Sequence, residues 1–161
     1  MPLADRPLNV AILAVPEVTA STLFGMLDLF ASAGRDWSFL LSGVAGEQRM
    51  CPYVVAAEPV GFTAANGVWV RPDWGLADAP APDIVCVPDF FVVPGEPLGD
   101  RLNNEVAWLR ACHAGGATIA SASNCSVVSF MGALSFMAFH PGRCQPIGTA
   151  RAAGSCSNSD Q

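Results

Sequence analysis

Six cysteines, two histidines and scattered carboxylates are the side chains of this 161-residue chain that could make or break bonds; lysine is absent. Without lysine there is no Schiff base, no ammonium clamp on a nucleotide phosphate and no lysine base. The cysteines (Cys51, Cys86, Cys112, Cys125, Cys144 and Cys156) form no C-x-x-C pair. Such spacing argues against a structural zinc site and against a disulfide scaffold, so reduced thiols and no metal are expected. No cofactor is expected either. Cys112-His113 pairs a thiol with an imidazole on paper. Neighbours on a helix point about 100° apart, however, so a buried cysteine beside an exposed histidine is the expectation. Glu17 follows the first apolar run, at the end of the sheet where open α/β folds take ligands; a solvated loop carboxylate is its plain alternative. The turn Ser123-Asn124-Cys125-Ser126 gathers hydroxyl, amide and thiol in four residues. Trp69, Trp74, Phe90 and Phe91 would line a pocket mouth or a dimer face, with core packing as the default for each.

These residues need elements to hold them. Asn9–Val15 is a continuous apolar run ended by Pro16, the pattern of a parallel strand buried on both faces. Leu23, Met26, Leu27, Phe30 and Ala33 then recur at helical spacing, with Thr19 or Ser21 as cap and Gly34 as stop. Trp37–Gly43 reads as a second strand, completing a βαβ unit. From Met50 to Asp78 the chain reads as a small β excursion, with strands at Tyr53–Ala56 and Val68–Arg71. Asn66-Gly67 makes a tight turn there, between Phe62-Thr63 and Val68-Trp69. The α/β rhythm resumes with a strand over Asp83–Pro88. A helix capped at Asn103 follows, carrying Val106, Leu109 and Cys112 on one face and stopped by Gly115-Gly116. A strand over Ala117–Ala122 and a helix over Val127–Phe139 complete the pattern. The end of the chain is small and polar, and is expected to be a flexible tail.

Composition agrees with that architecture. Hydrophobic residues make up 52% and charged residues 14%, a balance suited to a parallel sheet covered by helices or to a chain that hides apolar surface in a partner. A net charge of −6 without basic clusters argues against nucleic-acid binding, because neutralising phosphates supplies most of that affinity. The first residues lack the pattern of a signal peptide, and no apolar run reaches the ~20 residues of a membrane span. A cytoplasmic location is expected.

The stretches NVAILAVPEVTASTLFGMLDLFASAGRDW, PDIVCVPDF and EVAWLRACHAGGATIASAS resemble the ThiJ/PfpI superfamily, which shares its fold with class I glutamine amidotransferases. The likeness is nearest to the N-terminal sensing domain of GlxA-type, AraC-family transcription regulators, and runs from about Asn9 to Ser123. It implies a flavodoxin-like three-layer α/β sandwich with a mostly parallel sheet, incomplete at its C-terminal end. Residues 1–140 would form that domain and 141–161 a divergent tail. It also implies a nucleophile at a strand–turn–helix elbow, where helix amides stabilise negative charge. Ser123 stands at that position by alignment on Ala117–Ala122. Cys125 takes the role if the elbow has slipped, its thiol activated by the helix N-terminus. Glu17, Asp89, Ser123 and Asn124 are the candidate ligand contacts.

Departures from the family pattern weigh on function. The position of the carboxylate that tunes the nucleophile reads Thr22, and the Gly-rich segment after the Pro88 strand reads Asp89-Phe90-Phe91. Neither His113 nor His140 matches the expected histidine, and no helix-turn-helix follows. A sensing module needs a pocket but no activated nucleophile, so small-molecule sensing in a regulator-related domain is the expectation. The alternatives are a ThiJ/PfpI-type hydrolase, hydratase or glyoxalase-like enzyme, and a non-functional fragment. The expected partners are a small-molecule ligand and a second copy of the chain, without direct nucleic-acid or membrane binding.

Overall fold

A computed structural model of the chain describes residues 6–92 and 100–122. Ser123, Asn124, Cys125, the helix expected over 127–139, His140 and the tail over 141–161 lie outside the described residues. In chain order the elements are β1 (Leu8–Leu13), α1 (Ala20–Ser32), α2 (Asp36–Ser42), β2 (Met50–Ala56), β3 (Phe62–Thr63), β4 (Trp69–Val70), β5 (Trp74–Gly75), β6 (Ile84–Val87), α3 (Asn103–Ala114) and β7 (Thr118–Ser121).

The continuous apolar run of β1 has the place its composition demands, in the middle of a five-stranded sheet ordered β5-β2-β1-β6-β7. All four pairings are parallel, with Val10 opposite both Pro52 and Ile84, and Ile84 opposite Thr118. Val10 to Val15 are buried throughout. The strands at Val10, Ile84 and Thr118 lie side by side and parallel. The chain has the α/β architecture with a parallel sheet that its residue pattern called for.

Helix α1 lays Ala20 and Leu23 into the core, with Met26, Leu27 and Phe30 packed against it. Helix α3 does the same through Leu109, flanked by Val106 and Cys112. The excursion is partly as expected: β3 and β4 form an antiparallel hairpin around Asn66-Gly67, and Gly67 has φ +82°. That left-handed backbone is one that glycine enters without a Cβ clash.

Two expectations are corrected. Trp37–Gly43 is not a strand: Asp36–Ser42 is helix α2, closed by Gly43 at φ +72°. A short apolar run does not declare its period, and here the left-handed glycine cap ends a helical turn. The second strand of the βαβ unit is instead Met50–Ala56, which belongs to the main sheet beside β1. Pro52 disguises it, because proline is confined to strand edges and starts. Among the described residues β5 pairs only with Val55 and Ala56, so Pro52 lies in a stretch of β2 with one open edge.

The amino-terminal rim of the sheet is pinned by Asp83. Its carboxylate accepts two hydrogen bonds from the Arg6 guanidinium, at 2.9 and 2.8 Å, and one from the Asn9 amide at 2.8 Å. The side-chain bonds to Arg6 and the amide bond hold its pKa below the ordinary carboxylate value. The stabilisation this provides is present above the unfolded-state value and is lost as pH falls through the folded one. Asp83→Ala is expected to cost more than Arg6→Ala in urea unfolding. The first orphans a strand amide, whereas the second removes only an exposed pair that solvent screens. Equal losses would show that the Asn9 bond adds nothing.

No helix among the described residues is long and apolar enough to cross a membrane.

Candidate functional site at the carboxyl edge of the sheet

Chain segments leave β1 and β6 at the same edge, and α3 begins there too. The two loops are fastened to each other. Val18 and Phe90 form an antiparallel bridge, the Thr19 amide donates to the Asp89 carbonyl at 2.9 Å, and the Phe91 amide donates to the Glu17 carbonyl at 2.7 Å. Val18 and Phe90 are buried. Glu17 precedes the bridge in a turn closed by the Val18 amide donating to the Val15 carbonyl at 2.9 Å.

Thr19 stands at the N-cap of α1, yet its side chain does not cap the helix. Its hydroxyl instead donates to Asp89 Oδ2 at 3.4 Å. The other Asp89 oxygen, Oδ1, is buried without a donor. Glu17 pairs with Arg101, just before α3, at 3.5 Å. In the first turn of α3, Glu105 is the one buried charged side chain among the described residues, at 6% exposure, and its Oε2 has no partner. Burial raises the Glu105 pKa, and the negative charge of Glu17 adds to that, against a lowering by its own backbone amide. Ser121, the last residue of β7, has a buried hydroxyl without a partner.

Thus Asp89, Glu105 and Ser121, the buried polar side chains left unsatisfied among the described residues, all lie at the edge where the strands end or α3 begins. An unmet buried acceptor costs about 1–3 kcal/mol, and such groups call for an explanation. Here two are carboxylate oxygens, acceptors for N–H or O–H donors. No three His, Cys, Asp or Glu side chains gather as a metal-sized cluster among the described residues.

Of the residues singled out in the sequence, Glu17 and Asp89 are brought together through the backbone pairing. Ser123, Asn124 and Cys125 lie outside the described residues, directly after β7. Thr22 is half-buried within α1 and brings no carboxylate. His113 is exposed as expected, while Cys112 is half-buried rather than buried. Burial raises the Cys112 thiol pKa and pushes that of Cys86 up to about 11, which keeps both protonated and unreactive near neutrality. The core-packing default holds for Phe90 but fails for Trp69, Trp74 and Phe91, which are exposed. Sequence reasoning passed over Glu105, Arg101, Thr19 and Ser121. Glu105 was within reach: it precedes Leu109 by four residues and Cys112 by seven, the spacing of one helix face.

No family model matches the chain, and no curated protein sequence is similar to it. Solved structures are similar in fold. A Vibrio parahaemolyticus protein described as a transcriptional regulator aligns over 81% of this chain and 63% of its own, at 16% identity and TM-score 0.54. A ThiJ/PfpI family protein of Pseudomonas syringae aligns over 80% and 46%, at 18% identity and TM-score 0.53. An AraC family transcriptional regulator of Pseudomonas putida aligns over 71% and 55%, at 13% identity and TM-score 0.51. The chain therefore spans less than two thirds of the length of each. It has the α/β fold found in ThiJ/PfpI proteins and in AraC-family regulators.

Proposed function

We propose that the chain is a small-molecule-sensing domain related to those of transcription regulators, binding its ligand at the carboxyl edge of the sheet. The observation that carries this reading is the set of buried, unpartnered acceptors on Asp89 and Glu105. A ligand with N–H or O–H donors would satisfy them, and open parallel sheets take ligands at this edge. The carboxylates flank a salt-bridged Glu17–Arg101 pair and no activated thiol among the described residues, a setting for recognition rather than attack. The two regulators of like fold support the same reading. The bridge between the loops after β1 and β6 would relay occupancy to α1, since Thr19 both touches Asp89 and begins that helix.

The test is a thermal-shift series with small amines, amidines and polyols at millimolar concentration. At least one is expected to raise Tm with the logarithmic concentration dependence of a ligand that binds the native state. Asp89→Asn and Glu105→Gln are each expected to weaken that shift at least tenfold in ligand concentration. A flat series, together with glyoxal turnover abolished by Cys125→Ser, would replace this reading with the enzyme.

A further inference from the structure

Strand β2 carries no charge: its sequence is MCPYVVA, half-buried over its first three residues and buried over the last four. One of its edges pairs with β1 from Met50 to Val55. The other meets β5 at Val55 and Ala56 alone among the described residues. Met50 to Val54, about 16 Å of extended chain, therefore has no strand on that side. An uncharged strand edge of this length is a template on which another extended chain can pair.

The backbone groups along that edge are nevertheless engaged. Successive residues of a strand turn their amides and carbonyls to opposite edges. The Val55 carbonyl faces β1, accepting from the Ala14 amide at 2.7 Å. Val54, Pro52 and Met50 accordingly face the other way. The Val54 carbonyl accepts from the Asp73 amide at 2.9 Å, and the Val54 amide donates to Asp73 Oδ2 at 2.8 Å. A residue on an antiparallel neighbour makes that two-way exchange with its backbone alone. Here a carboxylate supplies one half of it. Two residues back, Pro52 has no N–H to offer. At the start of the strand the Met50 carbonyl accepts from the side-chain amide of Gln48 at 2.9 Å. An extended chain laid along this edge would find the Val54 pair taken, no donor at Pro52 and the Met50 acceptor occupied.

We propose that Asp73 closes the β2 edge: with Pro52 and Gln48 it takes the place of a sheet neighbour and keeps the edge of one chain from pairing with that of another. Asp73 counts most of the three, because it alone engages both a donor and an acceptor of the strand. In dilute full-length protein, Asp73→Ala is expected to quicken hydrogen exchange at the Val54 amide about tenfold. At about 100 μM, light scattering is expected to show Asp73→Ala in species at least about twice as heavy as those of wild type. These species are expected to bind a cross-β dye and to keep the wild-type far-UV dichroism. Asp73→Asn retains a side-chain oxygen for the Val54 amide and is expected to stay at the wild-type mass. Should Asp73→Ala unfold, Pro52→Thr provides the second reading, since it adds a donor to the edge and removes no hydrogen bond. It too is expected to associate beyond wild type. The proposal is overturned if the folded variants keep the wild-type mass, or if Asp73→Asn associates as readily as Asp73→Ala. It is overturned equally if the Val54 amide exchanges no faster without the carboxylate.

Discussion

Leu109→Ala is expected to lower unfolding free energy by about 3 kcal/mol, from the lost burial of the side chain and the cavity left behind. Leu109 is fully buried and is the deepest anchor of α3 on the sheet. Against the ~5–15 kcal/mol total of an ordinary domain, that is a large share. The consequence reaches the site, because Glu105 lies one turn earlier on the same helix face. Urea unfolding followed by far-UV dichroism measures the loss. A change below about 1 kcal/mol would mean that α3 is held by something other than this contact.

Glu105→Gln is expected to act in the opposite direction, stabilising the unliganded chain by about 1–2 kcal/mol at neutral pH because burial disfavours the charged carboxylate, whose Oε2 has no partner. The gain should depend on pH. Burial lifts the Glu105 pKa above its ordinary 4.5 in the folded chain, so the native state holds that proton more tightly than the unfolded state does. Stability therefore falls as pH rises from the unfolded value through the folded one, and glutamine escapes the fall. The difference in Tm between variant and wild type should be smallest in acid and grow toward neutrality. A difference that is constant across that range would show that the carboxylate does not change its charge with folding. Ligand binding supplies an independent reading, since the same variant that gains stability is expected to bind more weakly.

That contrast between stability and binding explains why the site was only half legible in the sequence. Glu17 and Asp89 stand directly after apolar runs that end in Pro16 and Pro88, so the sheet edge could be located from hydrophobicity alone. Glu105 sits in a helix, in the first-turn position where an acidic residue ordinarily faces water and the positive end of the helix. Only its register with Leu109 and Cys112 places it inward. The sheet divides in the same way. The strands at Val10, Ile84 and Thr118 carry continuous β-branched or small apolar runs and are legible as strands. The strand at Met50–Ala56 begins with methionine, cysteine and proline, and its right to be central comes from β1, forty residues away. The apolar run at 37–43 was assigned to its place. Gly43 at its end does not decide between helix and strand, since glycine serves to close either.

The central position of β1 has a consequence for how the chain is made. Both neighbours of this strand come later in the sequence: β2 opposite it begins at Met50 and β6 at Ile84. Such long-range parallel pairing is slow, because loop closure must precede any gain from contact. During synthesis at ~5–20 residues per second, Val10–Leu13 emerges first and waits several seconds for its second partner. Over that interval a strand buried from Val10 to Leu13 in the folded chain has an unpaired edge. The yield of folded chain should thus be governed by translation speed between Met50 and Val87, and by whatever shields the first strand until then.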